Sequence, residues 1–208
     1  MHQLQLEGIG HLFGTREVIS NVTGSLLSGE VGVVSGANGA GKSTLLRIVA
    51  GLLRPSFGEV NLHVRGSLIS VKALRTQVGY VAPDLTLYKE LTGVENLTFF
   101  AELRGLLLGY DDLAQLLEAV GLKGRGRDFV GGYSSGMRQR LKYAVALLGM
   151  PVVLVLDEPT ANLDTDGVER VRQLIGNHRT RGGITLIATN EPDELAWGSP
   201  FAELGSAT

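Results

Sequence analysis

Eight residues, Gly36-Ala37-Asn38-Gly39-Ala40-Gly41-Lys42-Ser43, constrain this chain more than any other stretch. They match the pattern GxxxxGK[ST], and the flanks turn the match into a geometry. Ahead of them VGVVS is a short apolar run suited to a central strand. Behind them STLLRIVAGLL keeps apolar residues at helical spacing until Arg54-Pro55. A strand that passes through a glycine turn directly into a helix aims the loop's N–H groups and the helix N-terminus at one point. That point attracts phosphate oxygens. Lys42 should reach the β- and γ-phosphates, and the Ser43 hydroxyl suits a magnesium ion. The expected phosphate-binding set is Gly36, Asn38, Gly39, Ala40, Gly41, Lys42, Ser43 and Thr44.

A second element completes the chemistry. VVLVLDE reads as a buried strand that carries Asp157 and Glu158 out of its carboxyl end. By itself such a pair is as often a solvated strand end as a site. Beside a phosphate loop it gains roles: Asp157 to hold magnesium near Ser43, and Glu158 to polarise an attacking water.

The rest of the chain fits an α/β core. HQLQLE and GEVNLHV alternate like half-buried strands, VGYVA is a further strand, and after VVLVL come a helix around GVERVRQLIGNH and the strand GITLIATN. Between them the character changes. Thr92-Gly93-Val94-Glu95 has the spacing of a capping box ahead of NLTFFAELRG. DDLAQLLEAV and SGMRQRLKYAVALLGM follow as helices. We expect one domain over residues 1–208, a parallel-sheet core of 1–83 and 150–208 interrupted by a helical insertion at 84–149.

Composition narrows the classes. With no cysteine, disulfide scaffolds, thiolate metal sites and cysteine nucleophiles are excluded. A net charge of −2 speaks against binding nucleic acid through bulk charge. The beginning MHQLQLEGIG lacks the basic and apolar segments of a secretory signal, and no run of apolar residues approaches membrane-spanning length, so a cytoplasmic location is expected. The four histidines, His2, His11, His63 and His178, show no ligand spacing.

In order and content the motifs resemble the nucleotide-binding subunit of the ATP-binding cassette (ABC) family over essentially the whole chain. The matching segments are the phosphate loop, the helical insertion, YSSGMRQRL, VVLVLDEPTANLD and LIATN. The resemblance implies a P-loop NTPase core with a parallel sheet, N-terminal antiparallel strands and a helical subdomain. It implies ATP and Mg²⁺ as ligands. It makes Ser134, Ser135, Gly136 and Met137 a signature that faces the ATP of a second copy, so that two chains sandwich two nucleotides. Read from its residues alone, that stretch also suits an ordinary serine helix cap. Asp164 matches a loop that crosses the dimer interface, and it also suits an N-cap. Phe13 falls where the family stacks an aromatic ring on adenine, although a lone Phe there can be core.

Two positions depart from the family pattern. A glutamine that touches the metal is replaced by Pro83 or Asp84, and only Asp84 could ligate, unless it is simply a turn residue. A histidine that contacts the γ-phosphate is replaced by Asn190, which donates hydrogen bonds but takes up no proton. Glu158 is then the expected general base and Asn190 an orienting group. The resemblance implies an ATPase subunit on the cytoplasmic face of a membrane, a homodimer that drives separate membrane-spanning subunits. Its short length and motifs resemble export types, among them the haem exporter of cytochrome c maturation, and nearly as well subunits that export drugs, lipids or polysaccharides. A soluble ABC-type ATPase with a non-membrane partner is the alternative.

Overall fold

The computed structural model describes residues 1–205, apart from the side chains of Val71 and Lys72. Strands β1 (Gln3–Phe13) and β2 (Arg16–Leu27) form an antiparallel hairpin, and β3 (Val31–Gly36) runs into α1 (Lys42–Val49). The chain returns through β4 (Phe57–Val64) and β5 (Ser67–Leu68), then α2 (Val71–Gln77) and β6 (Val78–Val81). Three helices follow, α3 (Gly93–Leu103), α4 (Tyr110–Ala119) and α5 (Ser135–Leu147). The chain closes with β7 (Val153–Asp157), α6 (Thr165–Thr180), β8 (Ile184–Ala188), the single turn α7 (Pro192–Leu195) and β9 (Ser199–Leu204).

Two sheets result. The first is antiparallel with order β2-β1-β4-β5, and the second has order β6-β7-β8-β3-β9. Every neighbouring pair of the second sheet is parallel. This bears out the expected parallel core with antiparallel strands at its N-terminal side. β3 has β8 on one side and β9, the last strand, on the other, so the winding reverses there. In open α/β sheets ligands bind at such a point, beyond the strands' carboxyl ends, and β3 delivers the glycine loop to it.

β7 and β8 are buried at all five residues each, as strands covered on both faces must be. Their side chains alternate between two cores. Val153, Val155, Ile184 and Leu186 join Leu45, Ile48 and Val49 of α1 and Leu4 and Leu6 of β1. Leu154, Leu156 and Ile187 face the other way, into Leu97, Leu117, Leu141, Tyr143 and Val171 of the helical layer. The phosphate-loop helix and the insertion helices therefore cover opposite faces of one sheet.

The capping box at α3 is present: the Thr92 hydroxyl accepts from the Glu95 N–H at 3.2 Å and the Glu95 carboxylate accepts from the Thr92 N–H at 2.7 Å. Fully buried Asn96 pins the connection before it, accepting from the Tyr88 N–H and donating to the Tyr88 carbonyl, both at 2.9 Å. α1 is shorter than its apolar run suggests. It ends at Val49, because Gly51 takes φ +69° and the chain leaves the helix before Arg54-Pro55.

Candidate nucleotide site

The glycine loop folds where β2 and β9 hem it in. Gly36 has φ +144°, and a Cβ there would lie 2.3 Å from the Leu204 carbonyl oxygen of β9. Gly41, at φ +97°, would put a Cβ 2.8 Å from the Val18 carbonyl oxygen of β2. Only glycine satisfies both backbone and neighbour at these two positions. The Lys42 side chain is buried and folds over the loop, its Nζ donating to the carbonyls of Gly36 at 2.6 Å and Ala37 at 3.2 Å.

Helix α1 lacks a side-chain cap, and its first turn has no acid. Its leading N–H groups have no intrahelical acceptor, and its positive dipole end is uncompensated. That is the state in which a helix receives an anion. α5 likewise has no acid in its first turn, whereas α3, α4 and α6 all do.

Asp157 ends β7 almost fully buried, while Glu158 beside it is exposed. Burial raises the Asp157 carboxyl above its ordinary range; the nearby Ser43 hydroxyl pulls it back, and the Glu158 charge raises it again. Ser43 and Asp157 thus form a pair of hard oxygen donors at the loop, a set that fits magnesium. Asp84 belongs to the same electrostatic neighbourhood, since it and Arg47 both act on Asp157. Its carboxylate, however, accepts from the Arg47 guanidinium at 2.8 Å, an exposed pair that ties the start of the insertion to α1. Nothing in the sequence marked Arg47 for that part.

Glu158 is one of five non-glycine residues with positive φ, at 50° among the described residues, and its N–H donates to the Ala188 carbonyl of β8 at 3.0 Å. Asn190, just beyond β8, donates through its amide to the Asn38 side-chain oxygen at 2.9 Å, across 152 residues of sequence. The fold thus joins the expected orienting residue to the phosphate loop itself.

Phe13 stands exposed at the end of β1, packed edge-on against His11 with ring centroids 4.6 Å apart. It is not core. Its hairpin partner β2 is the strand that touches Gly41. Ser134 is the N-cap of α5, its hydroxyl oxygen accepting from the Met137 N–H at 3.2 Å. The side chain is exposed, and its own proton is not committed to a partner among the described residues. Gly136 lies beside Asn162, whose carbonyl oxygen would be 3.9 Å from a Cβ there. Asp164 caps α6 by accepting from the Gly167 N–H at 2.8 Å. Both capping readings hold, and both residues remain at the surface. Ser135 is exposed and Met137 packs partly on the helical core.

A glycine loop opening a helix at the switch point of a parallel sheet, with two acids at the carboxyl end of β7 two strands away, defines a nucleotide-phosphate-binding α/β cassette. Residues 19–161 match the ABC transporter family, and the chain belongs to it. It is 36% identical over 188 residues to the uncharacterized ABC transporter ATP-binding protein YdbJ of Bacillus subtilis, an alignment covering 90% of this chain but 61% of that protein. It is 36% identical over 192 residues to the cytochrome c biogenesis ATP-binding export protein CcmA of Rhizobium meliloti, covering 91% of this chain and 92% of that protein. A solved dimeric bacterial ABC transporter cassette shares the fold at a TM-score of 0.84 and 23% identity, covering 97% of this chain and 94% of its own.

Proposed function

We propose that this chain binds and hydrolyses ATP with Mg²⁺, closing as a homodimer around two nucleotides to drive separate membrane-spanning subunits. The observation that carries the reading is the meeting of the uncapped α1 loop with Ser43, Asp157 and Glu158 at one end of the parallel sheet. Lys42 is to leave the carbonyls of Gly36 and Ala37 for the β- and γ-phosphates. Ser43 and Asp157 would hold the magnesium ion, which when bound neutralises charge on the phosphate oxygens. Glu158 takes the proton of the attacking water, and Asn190, steered by Asn38, orients the γ-phosphate.

In the dimer Ser134, Ser135, Gly136 and Met137 grip the partner's nucleotide, and Asp164 lies at the interface. Phe13 stacks on the adenine. Residues 84–149 are the part that moves against the core of 1–83 and 150–208 and transmits closure to the membrane. Among the described residues no helix is long and apolar enough to cross a membrane, so a spanning partner must be another segment or chain. Similarity to the export protein CcmA supports export, and a haem exporter of cytochrome c maturation is one specific reading beside the drug and lantibiotic transporters.

The test uses the Glu158→Gln chain with Mg-ATP, which should bind nucleotide, fail to turn it over and elute as a dimer. Adding Ser134→Arg should leave nucleotide binding intact but hold the chain monomeric. Dimerisation that survives Ser134→Arg would reduce the YSSGM stretch to a helix cap. Purification from membranes in mild detergent should bring down a polytopic partner; recovery only with ribosomes or nucleic acid would favour a non-membrane ATPase.

A further inference from the structure

Pro159 and Thr160 link Glu158 to the interface loop, and this short turn is held from two sides by residues of distant elements. From α5, fully buried Tyr143 donates its hydroxyl to the Pro159 carbonyl at 2.5 Å. From α7, Glu194, only 2% exposed, accepts through Oε1 from the Thr160 N–H at 3.1 Å and from the Thr160 hydroxyl. Its other oxygen is buried with no hydrogen-bond partner among the described residues. Burial, and then the Glu194 charge, push the Tyr143 phenol well above its ordinary range.

A half-satisfied buried carboxylate is a poor way to stabilise a fold; a hydrophobic residue of similar volume usually does as well or better. Its value is positional. The turn follows Glu158, whose left-handed backbone at φ 50° is a sparsely populated conformation for a residue with a Cβ. Such a conformation persists only where its surroundings over-determine it. The elements that supply the hydrogen bonds are telling. Tyr143 lies on the helix that Ser134 begins, and Glu194 lies four residues beyond Asn190.

We propose that Tyr143 and Glu194 are a pair of positioning residues that clamp the Pro159–Thr160 turn, fix the backbone of Glu158, and so tie the signature helix to the acid of the same chain. The proposal rests on the reading of Glu158 as the general base. In a dimer α5 meets one nucleotide while Glu158 acts on the other, so the clamp makes each site sensitive to occupancy of its neighbour.

Tyr143→Phe removes one oxygen and leaves the ring in place. We expect kcat for ATP to fall about tenfold, KM to stay within about twofold, and the melting temperature to fall by roughly 2–6 °C. In nucleotide-free protein, amide exchange at residues 158–162 should accelerate about tenfold while β7 and β8 stay protected. Glu194→Ala should act in the same direction, and Glu194→Gln, which keeps an oxygen for Thr160, should restore at least a third of wild-type kcat. A Tyr143→Phe chain with wild-type turnover and exchange overturns the clamp. So does a Glu194→Gln chain as impaired as Glu194→Ala. Should the wild-type chain itself not turn ATP over, the functional reading falls, and the exchange measurement decides the clamp by itself.

Discussion

The glycine loop offers a paired perturbation with a built-in control. Gly39 and Gly41 both have positive φ, at +81° and +97°, but a Cβ at Gly39 meets nothing within 4 Å while one at Gly41 lies 2.8 Å from the Val18 carbonyl oxygen. Alanine at Gly39 therefore carries only the conformational term, about 1.5 kcal/mol for a left-handed residue. Alanine at Gly41 adds the cost of displacing β2, roughly 2 kcal/mol for an overpacked contact against backbone. The totals are about 1.5 and about 3.5 kcal/mol. At about 2–4 °C per kcal/mol for a chain of this size, thermal melts should fall by roughly 3–6 °C for Gly39→Ala and 7–14 °C for Gly41→Ala. Trimming Val18 to Ala in the Gly41→Ala chain should recover little, because the nearest atom is a backbone oxygen. Equal losses for the two variants, or full recovery on trimming Val18, would refute the claim that β2 sets the shape of the loop.

Other expectations follow from the site. Glu158→Gln should lower turnover by about 10²–10⁴ and Asn190→Ala by much less, since Asn190 moves no proton; equal losses in a steady-state assay would reverse that ranking. Asp84→Asn should shift stability by less than about 1 kcal/mol, because its pair with Arg47 is exposed. If Asp84 also reaches magnesium, the same variant should raise the metal concentration needed for half-maximal turnover severalfold, while Arg47→Ala lowers it. His178, buried with its ring beside the Ile184 carbonyl at 3.2 Å, has its pKa pushed below 6.5 chiefly by burial. The unfolded chain then takes up a proton before the folded one. The stability contribution is present above 6.5 and is lost as pH falls through the lower folded value. His178→Gln should therefore flatten the decline of the melting temperature between about pH 7 and 5 relative to the wild-type chain.

The parts of this protein legible in its sequence are those whose chemistry is local. GANGAGKS is a contiguous loop whose glycines answer to their own φ angles and close neighbours, and Thr92 with Glu95 caps a helix within one turn. The burial of VLVLD on both faces shows as an unbroken apolar run. Less legible were β2, whose burial is broken along its length, and the short elements α2, α7 and β9, which carry too few periodic residues to stand out.

The order of strand, glycine loop and helix, and the two acids ending a buried strand, can be read from the linear chain because each is a contiguous stretch. Tertiary structure alone decided which distant groups meet there: Asn190 with Asn38, Asp84 with Arg47, and Tyr143 and Glu194 with the turn after Glu158. A hydrogen bond between side chains far apart in sequence leaves no periodicity and no spacing to read. Its partners are chosen by the register of the sheet and by the faces on which the helices pack.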